Sequence, residues 1–563
     1  MGDDGVGLTA STPQRIKPIV AKTPAPTPDS KPPGGGMIRS SLIFSGLTLV
    51  SRFLGLARDL VLTARLGTTF AGDAFYTANQ FPNLFRRMFA EGAFSAAFVP
   101  EYSRRLARDG KADADRYAAD ALATMAALTV ALTVVCQLAM PWIMQVYSAG
   151  YLSDPAKFKL TVILTQITMP YLPCVVMASL FAGVLNARGR FVVAGLYPAI
   201  QNLVMLLAVI PQKDPIQAAY AASWAALVSG VMQAALCWWG ARRTGARINP
   251  RRLALTGEMR TLARRMAPGI LASSTTQINL FISAMLASHV AGMRVWINVA
   301  ERFYQLPLSL VGVAIGVALL PRLSTALQRE DAADAQGGMD QAVVFGLALS
   351  LPAAAALMGM PVFLVDGLFA RGNFSHQDAA SAAALLFHYG WGVPAFVLIK
   401  ILQPAFFARG DTRTPMIYSM ISVAVNILLG VSLFYSPVGF PGIAAATSAA
   451  SWITVIQMVA HLHRKGLWTP TPRAVGKMIR VTAASIGLGV AVAVAAHFRA
   501  ALEAPLAGLS LAPVVAVLVV CVAGALLYPV LLFAFGGVTP AEARGAFKRR
   551  KGDKAAPPAA DLS

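Results

Sequence analysis

Of 563 residues, 56% are hydrophobic and 13% charged, with a mean hydropathy of +0.59; soluble domains carry about a quarter charged residues, so a soluble globular chain is excluded. Lys and Arg number 48 against 26 Asp and Glu, a formal charge of +22 that would point to nucleic acid in a soluble protein and here must first be weighed against membrane topology. The four cysteines (Cys136, Cys174, Cys237 and Cys521) stand in apolar runs without CxxC or Cys/His spacing, which argues against both a disulfide framework and a zinc site.

Residues 1–37, with TPAPTPDSKPPGGG, contain no long apolar run and read as a disordered cytoplasmic tail rather than a signal peptide. From residue 38 onward, fourteen apolar segments approach the ~20 residues that carry a helix across a ~30 Å hydrocarbon core. They are expected at 41–65, 73–100, 118–147, 160–186, 191–211, 216–240, 267–290, 297–321, 338–366, 379–407, 415–435, 440–462, 479–498 and 507–535. With the N-terminus inside, the connections after the even-numbered helices and the C-terminal tail hold 30 Lys and Arg, counting Arg480 at the very start of the segment 479–498. The opposite loops hold six: Lys157, Lys159, Lys213, Arg294, Arg371 and Arg499. This asymmetry satisfies the positive-inside rule with both termini cytoplasmic and explains most of the basic excess without nucleic acid.

An internal repeat organises the helices. FVPEYS (98–103) ends helix 2 and LLPRLS (319–324) ends helix 8, 221 residues later; ARG recurs at 187–189 and 408–410 with the same offset, after helices 4 and 10. Two matches at equivalent places favour a duplicated six-helix unit. Since six is even, both copies enter from the same side, as parallel repeats do about an axis along the membrane normal. The expected architecture is all-α: a first lobe over 38–247, a second over 248–465, two added helices over 466–536 and a basic cytoplasmic tail over 537–563. Two-lobed bundles of this kind place their substrate path at the lobe interface.

Seven basic residues remain inside helices: Arg52, Arg58, Arg65, Arg86, Arg87, Arg302 and Lys400. Arg65 and Lys400 lie near helix ends and are expected to snorkel. In the first two helices, Arg52, Arg58, Asp59, Arg86, Arg87 and Glu91 would together cost about 15–20 kcal/mol if they faced lipid, at ~2.5–3.5 kcal/mol each. They are expected to line a wet cavity with partial pairing, Arg87 with Glu91 at i,i+4 and Arg52 with Asp59 on one helix face. Asp73 opens helix 2, where capping or an ion pair competes with a substrate role. In NVAERFYQLP (298–307), Glu301 and Arg302 add charge from the second copy. Arg52, Arg58, Arg86, Arg87 and Arg302 outnumber Asp59, Glu91 and Glu301 by two, or by one if Asp73 is counted. A cavity with surplus guanidinium invites an anion, and the planar fork suits phosphate.

Enzymatic signatures are poor: there is no Walker A sequence, GxSxG, HExxH or membrane-surface DxD pair, and the six histidines are scattered. No cofactor or metal is expected. Without an ATP site, work would come from the membrane potential or an ion gradient.

SRFLGLARD, GDAF and above all FPNLFRRMFAEGAFSAAFVPEY resemble the MurJ (MviN) family of lipid II flippases, within the superfamily of multidrug, oligosaccharidyl-lipid and polysaccharide exporters. The resemblance extends over roughly 38–535. It implies a transporter, not an enzyme, that moves undecaprenyl-pyrophosphate-linked disaccharide pentapeptide across the bacterial cytoplasmic (inner) membrane for peptidoglycan synthesis. Its partners would be lipid II, membrane lipids and other cell-wall synthesis proteins. The matching positions assign the pyrophosphate to Arg58, Arg86 and Arg302, with Arg52 and Arg87 as further cavity arginines and Asp59, Asp73, Glu91 and Glu301 as supporting acids. The last two helices would form a groove for the lipid tail. Where some relatives place sodium-binding carboxylates in helices 7, 11 and 12, this chain offers Asn279, Asn426 and Thr447, which argues against a sodium site. Two other readings stand beside this one. An exporter of another polyprenyl-linked saccharide or small molecule would share the fold, with carboxylates and aromatics lining the cavity if the cargo were an organic cation. A membrane-embedded polyprenyl-phosphate transferase would need an acid/base or metal constellation that the sequence lacks.

Overall fold

The computed structural model describes residues 35–249, 256–318, 332–506, 508–509 and 511–537, and among these its elements are helices joined by turns and short loops, apart from one bridge between Arg371 and Phe374. The chain runs through α1 (Gly35–Leu66), α2 (Phe70–Arg86), a π turn (Arg87–Gly92), α3 (Ala93–Arg108), α4 (Gly110–Tyr147), α5 (Pro155–Thr168), α6 (Tyr171–Ala187), α7 (Phe191–Val209) and α8 (Pro215–Arg243). It continues through α9 (Gly257–Ala287), α10 (Met293–Ala318), α11 (Ala332–Gly359), α12 (Pro361–Phe369), α13 (His376–Gly390), α14 (Val393–Phe407), α15 (Arg413–Phe434), α16 (Gly442–Arg464), α17 (Pro472–His497), α18 (Arg499–Glu503) and α19 (Ala512–Ala534).

Ten helical stretches among the described residues are long and apolar enough to cross a bilayer, with α5–α6 and α13–α14 each counted as one broken rod. The charged helices α1, α2–α3, α9 and α10 stand outside that class and coincide with the other four expected segments. Helix starts follow local chemistry: the side chains of Thr69, Asp154 and Asp214 accept backbone N–H groups of the first turn, and Ser375 with Asp378 forms a capping box.

The repeat is visible in the backbone. Gly189 and Gly410 both adopt positive φ, 73° and 76°. In each turn the next residue closes back on the helix, Arg190 N–H to Leu185 O at 2.8 Å and Asp411 N–H to Phe406 O at 3.1 Å. These six positions pair at the same 221-residue offset, as do Pro173 and Pro394, each beside the break in its rod. LLPRLS (319–324) and both tails lie outside the described residues.

Among the described residues three large packing regions hold the bundle, with a small fourth around Leu286, Met293 and Ile443. One joins α2–α8 to α9 through residues such as Phe98, Tyr102, Met140, Met259 and Met266. A second fills the other half around Ile401, Phe406 and Met458. The largest crosses between halves, bringing Leu66 and Phe75 together with Phe369, Phe374 and Val517. Large apolar side chains on the outside, including Leu138, Trp142, Leu428 and Leu526, are exposed, as lipid-facing positions should be.

Candidate functional site: an arginine-lined cavity between the halves

Helix α2 carries an irregularity that its sequence explains. Pro82 has no N–H to offer the carbonyl of Ala78, and that carbonyl is taken by the Thr168 hydroxyl at 3.0 Å. One turn later the rod enters the π turn Arg87–Gly92 before resuming as α3. A π turn inserts one residue and rotates everything beyond it by roughly 100°, a geometry frequent at functional sites. The expected i,i+4 pairing of Arg87 with Glu91 assumed an uninterrupted α-helix, and the π turn breaks that register. The Glu91 side chain lies outside the described residues. Arg87 is exposed and makes no ion pair among them, whereas Arg86 donates from Nε to Asn83 Oδ1 at 2.7 Å.

A cavity of about 460 Å³ opens beside this turn, bounded by α1, α2, α7, α9, α10, α13 and α16. Arg58, Arg86, Arg87, Arg294 and Arg302 line it, with Glu301 as the only acid on its wall among the described residues. Asp59, 2% exposed, lies just behind the wall. It accepts from Arg58 Nε at 2.9 Å and Nη2 at 2.6 Å, and it pairs with Arg302 across the boundary between the halves. The expected Arg52–Asp59 pair is therefore corrected. Seven residues share a helix face but stand ~10 Å apart along the axis, while Arg58 wraps directly onto its neighbour. Arg52 does not line the cavity and lies within electrostatic range of Lys400. Glu301 accepts from Gln305 Nε2 at 3.3 Å.

Several contributors escaped the sequence reading. Asn202, beside Gln201 in otherwise apolar α7, holds Arg58 Nη1 at 2.8 Å while its own Nδ2 donates to Ser51 O at 2.9 Å. Arg294, expected in an outer loop, is 4% exposed. It donates to Gln80 Oε1 at 3.0 Å and Tyr147 O at 3.3 Å, with its guanidinium over the Tyr147 ring. Its signal was its position just ahead of the amphipathic stretch that begins at Val295.

Both ends of the cavity are bridged between the halves, by different means. At one end Asp73 is buried; its Oδ2 accepts from Lys157 Nζ at 2.6 Å and from the Gly292 N–H at 2.8 Å, so it acts as an ion-pair partner while Thr69 caps the helix. Beside it Asn373 N–H donates to Ala64 O at 2.8 Å and Asn373 Nδ2 to Arg65 O at 2.7 Å. Gly372 (φ 60°) lies so close that an added Cβ would stand 2.2 Å from Ala64 O. Arg65 itself donates to Ile210 O at 2.7 Å.

At the other end Glu101 accepts from Arg104 (2.5 Å), Arg105 (3.2 Å) and, from the opposite half, Arg265 (2.8 Å); Arg105 also reaches Glu258 of that half at 3.0 Å. Burial alone would raise the Glu101 carboxyl, but the three guanidinium groups outweigh it and pull it down to about 2.

Asn279, Asn426 and Thr447 do come together: Asn426 Nδ2 donates to Asn279 Oδ1 at 2.5 Å, and Thr447 Oγ1 to Asn426 Oδ1 at 3.4 Å. The donor set contains neutral oxygens only, and no group of three or more His, Cys, Asp or Glu among the described residues is arranged to hold a metal.

The family model for "Lipid II flippase MurJ" matches residues 62–518. The chain belongs to the MurJ family. A probable lipid II flippase MurJ of Rhizobium tropici is 36% identical over 523 residues, covering 92% of this chain and 97% of that one. Among solved structures, a lipid II flippase MurJ in an inward closed conformation superposes with a TM-score of 0.71 at 21% identity, covering 88% of this chain and 98% of that one. An inward-facing multidrug resistance transporter of the MATE family gives 0.63 at 14% identity, covering 76% of this chain and 98% of that one, so the two share a fold. This MurJ family member is thus a multi-pass membrane protein of flippase type, a transporter rather than an enzyme.

Proposed function

We propose that this MurJ family member moves lipid II, the undecaprenyl-pyrophosphate-linked disaccharide pentapeptide, from the inner to the outer leaflet of the bacterial cytoplasmic membrane by alternating access. The observation that supports this most is the cavity between the halves, whose wall among the described residues carries five arginines against one glutamate. A polyanionic head group supplies the missing charge, and guanidinium forks on α1, α2 and α10 can each engage phosphate oxygens in pairs.

In this reading the halves act as lobes, 38–247 and 248–465. Arg58, Arg86 and Arg302 hold the pyrophosphate and Arg87 adds charge. Asp59 keeps Arg58 and Arg302 together while the site is empty, and Arg52 guides the head group inward. The Glu101 end faces the cytoplasm, as do both termini. Its half-exposed ion pairs are the weaker closure, since such pairs are worth about 0–1 kcal/mol each. That end therefore opens to admit the head group, and the Asp73 end opens to release it. Helices in 466–536 guide the lipid tail. With only neutral oxygens at Asn279, Asn426 and Thr447, coupling falls to the membrane potential or a proton gradient, and other cell-wall synthesis proteins receive the product.

The decisive experiment is complementation. After depletion of the resident flippase in a bacterial host, the wild-type chain should restore exposure of lipid II on the outer leaflet. Arg302→Ala, inserted at normal levels, should not. Full rescue by Arg302→Ala would overturn the pyrophosphate assignment.

A further inference from the structure

The arginine cavity has a second chemistry that the pyrophosphate reading does not use. On the Asp73 side of Arg86 and Arg302 its wall carries mostly uncharged polar groups, Asn79 and Gln80 on α2, Gln201 on α7, Ser283 on α9 and Asn298 on α10, with the Tyr76 ring beside them and one cation, Arg294, already engaged with Gln80 Oε1, Tyr147 O and the Tyr147 ring. At 1.5 Å per residue, Asn79 stands roughly 10 Å from Arg86 along α2, and Asn298 roughly 6 Å from Arg302 along α10. The two amides therefore belong to one layer, displaced from the charged layer by about the length of one or two linked sugar rings.

Unlike the arginines, this layer is uncommitted. Asn79, Ser283 and Asn298 make no side-chain hydrogen bond to protein among the described residues. Gln80 uses only its oxygen, for Arg294, and Gln201 only its oxygen, as acceptor from the Tyr171 hydroxyl at 3.4 Å. Their amide N–H groups remain free. Contrast Asn83, one turn beyond Asn79, and Asn202, next to Gln201, whose side chains are spent on Arg86, Arg58 and backbone carbonyls. The cavity thus contains one set of amides that position arginines and another, turned to the lumen, that positions nothing in the protein.

A carboxamide both donates and accepts, as do hydroxyl and acetamido groups. A layer of neutral amides with an aromatic ring selects a densely hydroxylated, uncharged group rather than a second anion. We propose that this layer is a saccharide subsite. It takes the N-acetylated sugar attached directly to the pyrophosphate, so that the cavity reads charge at one level and sugar at the next. The proposal rests on the lipid-linked substrate reading and deepens it, because arginines alone would accept any polyprenyl pyrophosphate.

The test compares two ligands on full-length protein in nanodiscs: lipid II, and undecaprenyl pyrophosphate without sugar. The double variant Asn79→Leu/Asn298→Leu keeps side-chain size and removes the amides. It should bind lipid II about tenfold more weakly, the loss of one or two hydrogen bonds, while undecaprenyl pyrophosphate binding changes less than about twofold. Arg302→Ala should weaken both ligands. Equal loss on both ligands in the amide variant, or loss on neither, overturns the subsite. Unchanged binding of both ligands in Arg302→Ala, with discrimination kept in the amide variant, overturns the pyrophosphate clamp instead. If the double variant fails to insert, the single changes Asn79→Thr and Asn298→Thr are read with the same two ligands and the same criteria.

Discussion

Replacing Glu101 and Glu258 with glutamine should loosen the Glu101 end and leave the Asp73 end closed. Two ion pairs cross between halves here, Glu101 with Arg265 and Arg105 with Glu258. The Arg265 and Glu258 side chains are 51% and 46% exposed, which places the Arg105–Glu258 pair within the ~0.2–1 kcal/mol of exposed pairs. Glu101, 9% exposed, brings its own pair to the top of that range. Together they contribute about 1–2 kcal/mol, so E101Q/E258Q should raise the open-to-closed ratio about five- to thirtyfold. Arg105 retains Asp113 at 3.1 Å, which limits collateral damage. Double electron–electron resonance between labels on the solvent ends of α3 and α9 measures this population directly, and high salt should mimic the variant in part. Unchanged distance distributions in both the variant and high salt would refute the latch.

Because the Glu101 carboxyl is held below its usual range, its contribution is fully present above its ordinary value near 4.5 and is lost only as pH falls toward about 2; the same labels should therefore report no change between pH 5 and 8. Asp59→Leu strands Arg58 and Arg302 without their shared carboxylate, and breaking a buried pair costs about 3–5 kcal/mol; a clear drop in the melting temperature of the purified protein, together with loss of transport, is expected. Gly372→Ala forces a Cβ against Ala64 O and a strained φ, so it should favour opening of the Asp73 end, seen as faster alkylation of a cysteine placed at Thr68. Exchanging sodium for potassium should leave transport unchanged, since Asn279, Asn426 and Thr447 offer no carboxylate; a strict sodium requirement would contradict that reading of the cluster.

Each segment expected from hydropathy overlaps a helix, because in lipid an apolar run near 20 residues has almost no alternative to a helix. The arginine cavity was legible for the same reason: charges that cannot face lipid must meet inside. What the sequence hid is pairing. Spacing suggested Arg52 for Asp59, yet the carboxylate joins Arg58 and Arg302, and a contact between α1 and α10 has no local signature. The π turn after Arg86 was equally hidden, since its backbone register depends on what α3 packs against. Arg294 and Lys157 looked like loop cations by topology, and each is buried because a partner from elsewhere in the fold, Tyr147 or Asp73, neutralises or covers it. The repeat was legible as short strings and proved to be written in backbone geometry, at Gly189 and Gly410.

The bridging of both ends has a consequence in time rather than in affinity. For an anion enclosed while both ends hold, the time it stays would be set by the lifetime of the more fragile end, whatever the strength of its own contacts. A variant that binds substrate perfectly well could still turn over too slowly to sustain growth, and one that binds poorly could be rescued by a looser door.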